Sequence, residues 1–183
     1  MATRVVPAPL AQLPNALTVL RLLAVPVFVV LLLGTDGQGS YGLAALFAAA
    51  AFTDQIDGFL ARRWHVESEF GKFADPLADR LMIDAAVLLL CVDGRLPWLA
   101  LAIVLGRDAI LIGGYRVVKD RGYELSVSTL GKASTWVLYA AVTGVIASDK
   151  GTDWPIVLFW VGVGLAVLAA VAYVAGALRT VER

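Results

Sequence analysis

The chain holds one cysteine, Cys91, one histidine, His65, and no surplus of either charge, its 15 Lys and Arg balancing 15 Asp and Glu over 183 residues. A single thiol excludes an intramolecular disulfide and any cysteine-built metal site, and Cys91, set in an apolar run, reads as a small core residue. His65 has no second His or Cys nearby and reads as a surface side chain rather than a metal ligand. Ser126, Ser128 and Thr129 lack a paired His base, which removes a serine-hydrolase arrangement. Gly37-Gln38-Gly39 lacks the Lys-Ser/Thr that completes a phosphate loop. No nucleic-acid partner is expected. There is no strong basic run before the first apolar stretch and no convincing cleavage site after it, so that stretch is expected to be a retained helix rather than a signal peptide. Without internal repeats, low-complexity tracts or long polar linkers, residues 1–183 are expected to form one domain.

What the chain has in quantity is apolar length. Hydrophobic residues make up 60% and charged residues 16%, a balance that one buried core cannot absorb, so a lipid bilayer is expected to solvate much of the surface. A spanning helix needs about 20 mostly apolar residues, and six segments qualify, near 16–34, 41–61, 76–93, 96–119, 130–148 and 154–178. The expected fold is therefore all-α, an integral membrane bundle of six transmembrane helices preceded by a short interfacial segment at 1–13. Pro14-Asn15 is expected to open the first helix, with Asn15 or Thr18 as its cap, and Asp75-Pro76 to open the third. With six alternating spans, all of the Lys and Arg except Arg95 and Lys150 fall on the side of the termini. The positive-inside rule then places both termini in the cytoplasm, in a multi-pass cell-membrane protein. Trp154 sits at a depth suited to an interfacial anchor, and Gly162 and Gly164 are small enough to support helix packing, a homodimer included.

Against this background four aspartates gather in 26 residues, Asp54, Asp57, Asp75 and Asp79. Ionisable groups in a membrane segment are costly unless paired, hydrated or metal-bound. Spacings of three and four place each pair on one face of its own helix. Two such faces turned toward each other would make a four-carboxylate cage suited to one or two hard divalent cations, Mg²⁺ or Mn²⁺, shared with substrate phosphates. Gly58 and Ala61 keep the same face free of bulk, and Arg62 offers a fork of donors for phosphate. The competing interpretation is a solvated cluster at the helix ends, ion-paired with Arg62, Lys72 and Arg80.

The full pattern is Asp54-x2-Asp57-Gly58-x2-Ala61-Arg62-x8-Gly71-x3-Asp75-x3-Asp79. It resembles, at every fixed position, the signature of the CDP-alcohol phosphotransferases, a family whose six-helix layout would cover nearly the whole chain. The resemblance implies a CDP-linked donor in a cytoplasm-facing cavity, a divalent metal site at all four aspartates, and Asp79 as the base that takes the acceptor hydroxyl proton. By the same resemblance Asn15, Thr18, Gly58, Ala61, Arg62, Ser68 and Gly71 are expected at the donor. The run Asn15-x-Leu17-Thr18-x2-Arg21-x4-Pro26 is similar to the first helix of the phospholipid-synthesising branch, which implies CDP-diacylglycerol.

A second cluster, Gly106-Arg107-Asp108 with Lys132 beyond, is a candidate seat for an acceptor phosphate. The alternatives are an Arg107 ion pair with Asp108 or Asp84 and a snorkelling Lys132. Arg107-Asp108 followed by Ala109-Ile110-Leu111-Ile112 resembles the cardiolipin synthases more than the phosphatidylglycerophosphate synthases. Phosphatidylglycerol is therefore the favoured acceptor and glycerol 3-phosphate the alternative. Two other classes use intramembrane carboxylates. Membrane prenyltransferases lack the Ala-Arg-x8-Gly linkage, and a cation transporter would spread its acidic groups across the membrane depth.

Overall fold

The structure, a computed structural model, describes residues 8–64, 69–119 and 129–181, with side chains described at 19–20, 22–53, 81–110, 129–172 and 174–175. Among these residues there are six helices and no strands: α1 (Ala8–Leu33), α2 (Tyr41–Trp64), α3 (Glu69–Val92), α4 (Trp98–Lys119), α5 (Thr129–Ala147) and α6 (Asp153–Val181). The shortest, α5, has 19 residues, about 28 Å at 1.5 Å per residue, close to the hydrocarbon thickness of a bilayer.

Two helix starts differ from expectation. α1 begins at Ala8, so Pro14, Asn15 and Thr18 lie inside it and Asn15 and Thr18 are not its caps. Pro9 suits a first turn, and Pro14 removes one hydrogen bond without ending the helix. α3 begins at Glu69, six residues before Asp75. An acidic first residue complements the helix dipole there, and Pro76 is carried within the helix. Much of the expected polar loop from Arg63 to Lys72 is thereby helical. His65 and Ser68 lie outside the described residues.

Every helix is packed on at least two others. α1 lies against α2 and α3, α5 against α2, α3 and α6, and α4 against α3 and α6. The centre is a stack of fully buried side chains, among them Phe28, Phe47, Leu90, Val142, Ile146 and Phe159. The Phe28 and Phe47 rings are 5.6 Å apart and Phe47 and Tyr139 5.8 Å, which ties α1, α2 and α5 together through aromatic contacts. Gly162 serves this packing, since a Cβ there would meet Leu138 of α5 at 3.0 Å. Gly164 faces open space.

The outside of the bundle is apolar as well. Leu20, Val30, Leu99, Val157, Leu168 and Val171 are each 60–68% exposed, a surface that water disfavours and lipid accepts. Among the described residues, Thr129–Ala147 and Asp153–Ala172 are long and apolar enough to cross a membrane by length and composition. Leu22–Leu33, Tyr41–Thr53 and Leu81–Val92 are further apolar helical stretches among the described residues.

The connections 34–40, 93–97 and 148–152 meet at one end and lock together. Gly39 N donates to Asp149 Oδ1 at 2.9 Å, Ser40 N to Ile146 O at 2.8 Å, and Lys150 Nζ to Asp93 O at 2.9 Å. The Arg95 guanidinium donates to the Ser148 carbonyl. Burial pushes Arg95 below its ordinary pKa, and the Asp93 and Asp149 carboxylates pull it back. Ser40 caps α2 by accepting from Leu43 N at 3.3 Å. Tyr41, Trp98 and Trp154, 83%, 60% and 58% exposed, open or nearly open α2, α4 and α6 at this end. Such a ring of aromatics is what a membrane–water boundary selects.

Gly39 sits where two connections touch, and a Cβ there would lie 2.6 Å from the Ala147 carbonyl oxygen. Gly39→Ala should cost about 1–3 kcal/mol, read as a lower thermal midpoint of the detergent-solubilised protein, whereas Gly164→Ala should be neutral or stabilising by about 0.5–1 kcal/mol. Equal losses at both positions would contradict this packing.

Candidate active site

The last turn of α2 and the first turn of α3 lie at the end of the bundle opposite the locked turns. Only four residues separate Trp64 from Glu69, and α2 and α3 touch, so the two helices form an antiparallel hairpin. Counting from the helix ends, Asp54 is ten residues before Trp64 and Asp79 ten residues after Glu69, about 15 Å along each helix. Asp57 and Asp75 are seven and six residues in, about 9–11 Å. The hairpin thus brings the two pairs to matching depths, Asp54 level with Asp79 and Asp57 with Asp75. Gly58, Ala61 and Arg62 follow on α2, and Gly71 lies in the first turn of α3. Asn15 and Thr18 lie in the first half of α1, which packs on both arms of the hairpin. The side chains of all these residues are outside the described set, as is Ser68.

Four carboxylates without His or Cys are a donor set for a hard divalent cation, and the matched depths on neighbouring helices fit one shared site. Among the described residues no group of three or more His, Cys, Asp or Glu offers a rival site.

The second cluster is seen in atomic detail. Arg107 Nη1 donates to Asp108 Oδ1 at 3.0 Å, with both side chains largely buried. This is one of the ion pairs that competes with a phosphate for Arg107. The pair does not saturate the guanidinium, because the buried Nε of Arg107 has no hydrogen-bond partner among the described residues. Arg107 also forms part of the wall of a groove of about 510 Å³ between α4 and α6. Lys132 is exposed on the first turn of α5. Among the described residues α4 and α5 do not pack on each other, so the structure does not bring Arg107 and Lys132 together as neighbours. By the rise from the ends nearest the hairpin connection, Arg107 lies about 18 Å in, near the depth of Asp54 and Asp79, and Lys132 about 5 Å in. Sequence reasoning missed the groove, because its residues carry the same apolar spacing as any lipid-facing helix surface.

A sequence model of the family described as CDP-alcohol phosphatidyltransferase matches residues 11–172. A probable phosphatidylglycerophosphate synthase of Mycobacterium tuberculosis is 35% identical over 179 residues, covering 95% of this chain and 85% of the relative. The cardiolipin synthase (CMP-forming) of Streptomyces coelicolor is 38% identical over 157 residues, covering 83% of this chain and 72% of the relative. The chloroplastic/mitochondrial CDP-diacylglycerol–glycerol-3-phosphate 3-phosphatidyltransferase 1 of Arabidopsis thaliana is 34% identical over 181 residues, covering 88% and 61%. The chain therefore belongs to the CDP-alcohol phosphatidyltransferase family and is a phosphatidyltransferase of phospholipid synthesis.

Proposed function

We propose that the protein transfers the phosphatidyl group of CDP-diacylglycerol to a hydroxyl of phosphatidylglycerol, giving cardiolipin and CMP. The observation that carries the reading is the family spacing of the four aspartates on one helical hairpin. Asn15, Thr18, Gly58, Ala61, Arg62, Ser68 and Gly71 hold the donor, with small residues letting the nucleotide approach the backbone and Arg62 set against the diphosphate. Asp54, Asp57, Asp75 and Asp79 would hold one or two Mg²⁺ or Mn²⁺ ions, whose charge neutralises the diphosphate when bound. Asp79 accepts the proton of the acceptor hydroxyl. That oxygen forms a bond to the phosphorus carrying diacylglycerol, the bond from that phosphorus to the CMP oxygen breaks, and Arg62 stabilises the departing charge.

Arg107 is set to hold the acceptor phosphate through donors that Asp108 leaves free, with Lys132 nearer the cytoplasm. Support for phosphatidylglycerol comes from the Arg107-Asp108 run and the cardiolipin synthase relative. The second reading, transfer to glycerol 3-phosphate, is favoured by the relatives that carry that acceptor in their names. The proposed setting is a cell membrane crossed six times, with both termini and the catalytic hairpin on the cytoplasmic side. The Lys and Arg asymmetry and the ring of Tyr41, Trp98 and Trp154 at the other end support it.

Purified protein given CDP-diacylglycerol, Mg²⁺ and either acceptor should yield cardiolipin from phosphatidylglycerol, identified by mass. Product from glycerol 3-phosphate alone would overturn the acceptor assignment. Asp79→Asn should lower kcat by about 10²–10⁴-fold while leaving the affinity for CDP-diacylglycerol much less affected. Near-normal turnover in that variant would remove Asp79 as the base. EDTA should abolish CMP release and Mg²⁺ or Mn²⁺ restore it, and release that persists in EDTA would rule out a metal-dependent transfer.

A further inference from the structure

We propose that the groove between α4 and α6 seats an acyl chain of an anionic phospholipid, the phosphatidylglycerol acceptor of the proposed reaction, with that lipid's phosphate on Arg107. The assignment rests on the acceptor reading above. Ile103, Gly106, Arg107 and Ile110 follow one another at i, i+3, i+4 and i+7 on α4, so they line one face of that helix, and Val167 and Val171 line the facing side on α6.

Three observations specify the occupant. The wall is apolar except for Arg107, and its volume of about 510 Å³ falls within the ~300–1,000 Å³ of small-molecule pockets. A Cβ on Gly106 would meet nothing within 4 Å, so the small residue leaves room that no other side chain takes up. Arg107, finally, keeps a buried Nε donor without a partner among the described residues, beside its bond to Asp108. A cation with an unused donor, set in the wall of an otherwise hydrocarbon-lined groove, matches a ligand that is anionic at one point and aliphatic along the rest. Glycerol 3-phosphate would satisfy the guanidinium and leave the groove unused.

The test uses the full-length protein in phosphatidylcholine vesicles containing phosphatidylglycerol with a diazirine in its acyl chain. After irradiation, label is expected on peptides covering 103–110 and 167–175, displaced by unlabelled phosphatidylglycerol and not by added phosphatidylcholine. Gly106→Leu, which fills the groove from its floor, and Val171→Trp, at a position 61% exposed where folding should be preserved, should each reduce that label and raise KM for phosphatidylglycerol by about tenfold or more. Label displaced equally by phosphatidylcholine, label confined to other helices, or label unchanged in both variants would overturn the proposal. The labelling needs no turnover, so it separates the two ideas. Product from glycerol 3-phosphate alone would defeat the acceptor reading, and displaceable label at the groove would then support it as an anionic-phospholipid seat independent of the reaction.

Discussion

Carboxylates of one sign at a common depth of an apolar bundle repel one another and lose hydration together, and this constraint organises the rest of the molecule. Asp54, Asp57, Asp75 and Asp79 occupy matched positions on two arms of one hairpin, where the cost of burying one charge would be compounded by its neighbours. In the proposed reaction a divalent cation and a diphosphate would convert that liability into binding energy. The fold must therefore hold α2 and α3 in register without asking the aspartates themselves to supply stability. α1 packs across both arms, and the Phe28–Phe47–Tyr139 contacts tie α1, α2 and α5 together.

The opposite end of the bundle carries the polar interactions that fix the helices along their axes. Arg95, Lys150 and Asp149 bind backbone groups of other connections rather than each other's side chains, so a shift of one helix hairpin breaks several hydrogen bonds at once. One end is thus closed by hydrogen bonds to backbone groups, and the other carries the charged residues of the α2–α3 hairpin. Along α4 the same division appears within a few residues: Asp108 takes one donor of Arg107, and the groove beside it leaves another unused.

Much of this was legible in the sequence because the signals are local. Six apolar runs separated by short polar turns gave six helices, and the three-and-four spacing of the aspartates, with Gly58, Ala61 and Arg62 between the pairs, pointed to the family. The starts of α1 and α3 were not legible. Pro14 and Pro76 read as helix openings when judged by their missing donors, yet packing against neighbouring helices carries both chains through them. The Arg107–Asp108 pair was one of several partners compatible with the spacing, and only a side-chain geometry selects it. The groove was invisible for a different reason. An apolar face at i, i+3, i+4 and i+7 looks the same whether it meets a helix, bulk lipid or one acyl chain, and its depth depends on how far α4 and α6 stand apart.

The central claim is that the α2–α3 hairpin makes one cation site from all four aspartates. Titration of the detergent-solubilised protein with Mn²⁺, followed by the loss of the free-ion electron paramagnetic resonance signal, tests it without substrate or turnover. One or two ions should bind per chain, and Asp→Asn at each of the four positions in turn should weaken binding by at least about tenfold. Binding that survives unchanged when Asp54 or Asp57 on α2, or Asp75 or Asp79 on α3, is replaced would show that the two arms do not share a site.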